Sequence, residues 1–199
     1  MTTERDIDQL LVDRVQRGDK KAFELLVSKY QRKLMRLVSR LVRDQAEAED
    51  VVQEAFIKAD RALPQFRGDS AFYTWLYRIG VNTAKNHLMA LGRRPKAMNE
   101  VELEDIENFD DAGDLRSYET PESAMMTKEI AATVNDTIEH LPEELRSAIT
   151  LREMDGLSYE EIAEIMDCPI GTVRSRIFRA RESIAEKLKP LIETSNKRW

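Results

Sequence analysis

Between Leu157 and Ile184 two helical periodicities are separated by three residues that neither helix can absorb. This stretch, LSYEEIAEIMDCPIGTVRSRIFRARESI, constrains the fold more than any other part of the chain. Ser158 followed by Glu161 predicts a capping box, and Ile162 and Met166 supply an apolar stripe. Asp167, Cys168 and Pro169 make a turn, and Gly171-Thr172 opens a second, longer helix. Two helices joined so tightly form a helix-turn-helix. At about 100° per residue, Val173, Ile177, Ala180, Ile184 and Leu188 share the side that faces a core. Ser175, Phe178 and Arg179 then point outward, with Arg174 and Arg181 on one flank and Arg176 on the other. An exposed Arg can read guanine bidentately in the major groove, and Phe can pack on a thymine methyl. The flanking arginines suit phosphates, and Thr172 completes the set of candidate contacts at the start of this helix.

The rest of the chain also reads as helix. In Lys20 to Arg43, Phe23, Leu26, Tyr30, Leu34, Leu37 and Leu41 recur every three or four positions. Asp44 with Glu47 predicts a second capping box, opening a helix whose apolar face is Val51, Val52, Ala55, Phe56, Ala59 and Leu63, and Pro64 stops it. FRGDS, residues 66 to 70, suits a tight turn, after which Ala71 to Leu91 is helical up to Gly92. Within it Phe72, Leu76 and Ile79 make a core stripe, and Trp75, Arg78, Asn82 and Lys85 share a neighbouring face. Aromatics interleaved with cations can grip a phosphate backbone and stack on unpaired bases. Taken alone, four aromatics on one helix are more often core than platform. Thr120-Pro121 then starts a helix running to about His140, Leu141-Pro142 restarts the pattern, and Asp155-Gly156 ends the next one.

Charge divides the chain into three. Residues 1–95 carry 18 Lys+Arg against 13 Asp+Glu, net +5; residues 96–126 carry 2 against 10, net −8; residues 127–199 carry 11 against 14, net −3. A basic block, an acidic aperiodic stretch and a mixed block predict an all-α chain of two small helical domains, 1–95 and 120–192. A flexible acidic linker, 96–119, joins them and leaves their relative orientation free, and a tail, 193–199, follows. Two separate cores are expected. A single cysteine, Cys168, excludes an internal disulfide, and with His87 and His140 besides it no zinc set can be assembled. Cys168 is read as a small packing residue, and the two histidines as surface polar groups. No phosphate loop or nucleophile-base pairing supports an enzyme, so no catalytic residue, metal or cofactor is expected. No signal peptide or membrane-spanning run is visible, which predicts a cytoplasmic protein with no membrane insertion of its own.

Residues 50 to 63 (DVVQEAFIKADRAL), 66 to 79 (FRGDSAFYTWLYRI), 93 to 95 (RRP) and 157 to 182 together resemble the extracytoplasmic-function sigma factors, in particular those of the sigma-E type. The resemblance covers nearly the whole chain. It implies a sigma-2 domain that docks on the beta-prime clamp helices of core RNA polymerase and melts the minus-10 element. It also implies a sigma-4 domain that binds the minus-35 element and the beta flap. By position, Asp50, Gln53, Glu54, Phe56 and Ile57 match the clamp-contacting residues. Phe66, Arg67, Gly68, Asp69, Ser70, Ala71 and Phe72 match the loop that captures a flipped minus-10 base, and Asn82 lines its pocket, with Trp75, Arg78 and Lys85 beside it. Arg174, Ser175, Phe178 and Arg179 match the minus-35 readers. The implied partners are core polymerase, promoter DNA of envelope-stress type and a membrane-anchored anti-sigma protein of the RseA/MucA kind. Two departures stand out: Asp60 where Tyr is usual, and Gly80 where Ala is usual. The competing reading is a stand-alone helix-turn-helix regulator. It would need a dimerisation helix that is not visible, and it leaves residues 44–90 unexplained.

Overall fold

The computed structural model describes residues 4–92 and 121–196, and their regular structure is helical throughout. The first module comprises α1 (Glu4–Gln16), α2 (Lys20–Leu41), α3 (Gln45–Ala62), a short 3-10 turn (Leu63–Gln65) and α4 (Phe72–Gly92). Asp19 caps α2 by accepting from the Lys21 and Ala22 N–H groups, and Leu26, Tyr30, Leu34, Leu37, Val38 and Leu41 line its buried face. The helix stops at Leu41 rather than Arg43, because Val42 turns extended. Asp44 caps α3, accepting from the Glu47 N–H at 2.8 Å. Glu47 does not visibly complete the expected box; its carboxylate lies 3.2 Å from His87 Nε2 on α4. His87 is therefore half-buried between two helices rather than a surface group.

Gly80 has a reason to be glycine. A Cβ built on it would lie 2.6 Å from Leu34 Cδ1. The missing side chain lets α4 approach α2, and Leu34, fully buried, fills the space.

The second module comprises α5 (Pro121–His140), α6 (Glu143–Glu153), α7 (Tyr159–Met166) and α8 (Ile170–Asn196). Val173, Ile177 and Ala180 of α8 are buried with Ala148, Ile149, Leu151, Ile162 and Ile165 of α6 and α7. Gly156, at φ +67°, supplies the left-handed residue after α6. The last helix runs to Asn196, past residue 192, where the second domain was expected to end.

The two modules are docked, with α4 against α7 and α2 against α6. Arg40 Nη1 donates to Asn135 Oδ1 at 3.2 Å, and Arg43 Nη2 to the Glu139 carbonyl at 3.0 Å. Buried side chains run as one cluster from Val12 to Ala180. Two separate cores were expected because the acidic stretch divides the chain into two blocks, and Tyr73 and Tyr77 carry no local sign of a partner in the other module. Instead their hydroxyls donate to Glu161 and Asp155 of the other module. The acidic linker, 96–119, lies outside the described residues. Among those described, no helix is long and apolar enough to cross a membrane.

Candidate nucleic-acid interface

The helix-turn-helix forms as its sequence dictates. The Ser158 hydroxyl accepts from the Glu161 N–H at 3.2 Å, and the Glu161 carboxylate accepts from the Ser158 N–H at 2.8 Å. Asp167 ends α7 in the left-handed region at φ 49°, a conformation Asp tolerates better than most residues. The Cys168 N–H then closes the turn on the Ala163 carbonyl. With Val173, Ile177 and Ala180 buried, the opposite face of α8 carries Arg174, Ser175, Phe178 and Arg179, all exposed. Phe178 is 66% exposed, more than any other large apolar side chain of the described residues. Its ring lies in water on the same face as Arg174 and Arg179.

The arginines of this helix divide by what holds them. Arg174 lies over the Tyr159 ring at 5.7 Å, which stiffens it without removing it from solvent. Arg181 pairs with Glu153 at 2.6 Å on the surface. Arg176 is different. Its side chain is 16% exposed, paired with Glu144 of α6 and 3.3 Å from Cys168 Sγ. It was expected to reach phosphate. Its position on the inner flank instead makes it a brace between α6, the turn and α8. Ser175 Oγ donates to the Thr172 carbonyl at 2.9 Å, and Thr172 is half-buried at the start of the helix.

The second face is the loop from Phe66 to Ala71, where Arg67 and Asp69 are exposed and Gly68 takes φ +75°. Beneath it Phe66 packs on Trp75 at 4.9 Å and on Phe72 at 6.4 Å, and Phe72 packs on Trp75 at 5.8 Å and Tyr30 at 5.5 Å. Trp75, expected on an open stacking face, is 9% exposed and belongs to this cluster. The helix count placed it beside the core stripe, and the loop folding back over it completes its burial. Asn82 is exposed, and Arg78 and Lys85 are half-buried on the same helix.

Sequence reasoning missed Gln16. From the last turn of α1 its Nε2 donates to the Leu63 carbonyl at 3.0 Å and the Phe66 carbonyl at 2.8 Å, pinning the start of the loop. A glutamine fifty positions from its partner carries no local signal.

On α3, Asp50, Gln53, Glu54 and Ile57 form an exposed ridge spaced three or four residues apart, with Ile57 45% exposed. Glu54 pairs with Lys58 at 2.7 Å. Phe56, expected on this ridge, is buried with Val52 and Ala59 and supports it from below. Asp60 is exposed.

A helix-turn-helix with an exposed Arg and Phe face on one module, and a loop pinned over an aromatic cluster on the other, are the surfaces these helices build. Comparison with known proteins gives the family. Residues 26–94 match the model of sigma-70 region 2, and residues 127–184 that of sigma-70 region 4. The chain is 64% identical over 185 residues to the RNA polymerase sigma-H factor of Pseudomonas aeruginosa, covering 93% of this chain and 95% of that one. It is 63% identical over 190 residues to the ECF RNA polymerase sigma-E factor of Escherichia coli K12, covering 96% and 98%. Among solved structures, CnrH in complex with the cytosolic domain of CnrY is similar at TM-score 0.66 and 25% identity, covering 93% of this chain and 99% of that one. The sigma factor RpoE in complex with the anti-sigma factor NepR from Bartonella quintana is similar at 0.64 and 27%, covering 85% and 98%. The chain belongs to the extracytoplasmic-function sigma factors of the sigma-70 family, in the sigma-E-like group that directs RNA polymerase to stress promoters, and is not an enzyme.

Proposed function

We propose a division of this work among the faces described above, in a factor that acts in the cytoplasm. The α3 ridge of Asp50, Gln53, Glu54 and Ile57 docks on the beta-prime clamp helices, and the second module meets the beta flap. The loop from Phe66 to Phe72 receives a base flipped from the minus-10 element. Extrusion costs a few kcal/mol of stacking and pairing, which a loop already held by Gln16 and by the aromatic cluster offsets without ordering anything new. Asn82, Arg78 and Lys85 follow the strand beyond it. The α8 face of Arg174, Ser175, Phe178 and Arg179 reads the minus-35 duplex. The observation that carries this reading is the exposed Phe178 between arginines on a helix-turn-helix whose first helix is closed by a capping box.

An anti-sigma partner is part of the proposal, membrane-anchored and of the RseA/MucA kind. Both similar structures cited above were solved as complexes, and the RpoE partner is named an anti-sigma factor. The test is multi-round transcription from a sigma-E-type promoter by core polymerase with and without the chain, alongside DNA binding by the chain alone. Tight promoter binding without core, or no transcript with it, overturns the reading.

A further inference from the structure

The arginines around Phe178 on α8 differ in what occupies their donors. Arg176 is committed to Glu144, and Arg181 to Glu153. Arg174 makes no hydrogen bond or ion pair among the described residues. Its guanidinium instead stands 5.7 Å from the centre of the Tyr159 ring. That is inside the roughly 6 Å over which the face of an aromatic ring attracts a cation. The group is exposed and its N–H donors are open to a ligand, yet its position is held.

Tyr159 is placed to do this holding. It is the first residue of α7, directly after the Ser158 cap, so the capping box that starts the helix also sets where the ring stands. The side chain is half-buried, and a second guanidinium, that of Arg152 on α6, lies 4.8 Å from the same ring. Arg152 is tied down, because its Nη1 donates to the Leu157 carbonyl at 2.6 Å. Two like charges beside one ring repel each other. The fixed cation therefore keeps Arg174 from folding back toward α6. An unrestrained arginine on a helix surface is drawn to any phosphate, whereas a bidentate contact with guanine needs the planar guanidinium fork in one orientation. Ordering the group beforehand also removes side-chain freedom that would otherwise be lost on binding.

We propose that Tyr159 is a positioning residue for minus-35 recognition: its ring holds the Arg174 guanidinium in one orientation, so that Arg174 discriminates between bases instead of only attracting phosphate. This rests on the reading that the α8 face meets the minus-35 duplex. Base choice at one position of the element is then set in part from the neighbouring helix, by a side chain that need not touch the base.

Holoenzyme assembled from core polymerase and the full chain tests this, in competition binding between a sigma-E-type promoter and versions carrying each single-base change in the minus-35 element. Arg174→Ala first identifies the position that Arg174 reads. Tyr159→Leu and Tyr159→Met keep the bulk of the side chain without a π face. Each is expected to lower the preference for the consensus base at that position about two- to fivefold, the factor to which an exposed cation–π contact corresponds. Preference at the other positions and the salt slope should be unchanged, since no charge is lost. Tyr159→Phe, which keeps the ring, should retain the full preference, and Tyr159→Leu added to Arg174→Ala should cost nothing further at that position. An equal loss at every position would make Tyr159 a purely structural residue and overturn the proposal. A loss of preference in Tyr159→Phe matching that in Tyr159→Leu also overturns it, because the hydroxyl would then be the active group. If Arg174→Ala changes no base preference, the reading of Arg174 as a base contact fails and the proposal falls with it. If Arg174→Ala does and neither Tyr159→Leu nor Tyr159→Met follows, the proposal alone fails.

Discussion

Gly80 shows how one residue can be misread until its neighbours are known. By helix propensity alone Gly80→Ala gains about 1 kcal/mol. The new methyl, however, meets Leu34 Cδ1 at 2.6 Å in a fully buried site, and overpacking of that kind costs about 1 to 3 kcal/mol. The variant is expected to be less stable in urea, and Gly80→Ala with Leu34→Val should recover part of the loss. Strict additivity of the two substitutions would refute the packing account. Asp155 offers a second test at this scale. Its carboxyl is raised in the folded chain, mainly by burial. A raised carboxyl contributes stability that is present below the ordinary Asp value and lost as pH climbs through the folded one. Asp155→Asn should therefore raise the unfolding midpoint at pH 7 and leave it unchanged in strong acid. Tyr77 can still donate to the amide oxygen, and Arg36 and Lys33 are the cations facing it. Glu161 acts in the opposite sense. Burial raises it, but hydrogen bonds from Tyr73 and Ser158 outweigh that and hold it low. Its contribution is present above the ordinary Glu value and fades as pH falls through the lowered one.

At the scale of the element, a helix face was legible in the sequence wherever one helix decides its own contacts. The α8 count held over the first turns, with Val173, Ile177 and Ala180 inward and Phe178 and Arg179 outward, because a 3.6-residue period needs no knowledge of the neighbour, while Ile184 and Leu188, counted inward, are half-buried. It misread residues on the flank of a stripe, where the partner element decides. Trp75 and Arg176 both sit there, one covered by the loop and the other bound to α6. Arg179→Ala is therefore expected to weaken minus-35 binding by about 1 to 3 kcal/mol and to relax preference at one base. Arg176→Ala should instead lower the melting temperature of the second module with little change in salt slope. Competition titrations at several salt concentrations separate them. The loop gives the parallel case. Gln16→Ala leaves the Leu63 and Phe66 carbonyls to find water, and should slow promoter opening while sparing core binding. A pre-melted bubble template should restore it, as permanganate reactivity of unpaired thymines would report. Trp75→Ala should fail earlier, because emptying that cluster costs about 3 to 5 kcal/mol of fold stability.

For the whole molecule, the order of the modules and the acidic break between them were readable from charge and periodicity, whereas their docking was not. Docking depends on Tyr73 and Tyr77 meeting Glu161 and Asp155 across some eighty positions, and no local pattern announces a contact at that distance. The acidic segment supplies a prediction of its own. Replacing Glu100, Glu102, Glu104, Asp105 and Glu107 by Ser should weaken core binding, with a loss that shrinks as salt rises, since a polymerase channel must be basic to hold nucleic acid. Equal affinity of the neutral variant would make the segment a passive tether. The Gln16 clasp reaches further than its two hydrogen bonds. It lies on α1, upstream of the residues that match the region 2 family model, which begin at position 26. Two relatives with identical base-contacting loops can thus differ in how firmly the loop is anchored from outside. On the reading proposed above, a change at position 16 would alter how easily a promoter opens while every residue of the loop itself stays the same.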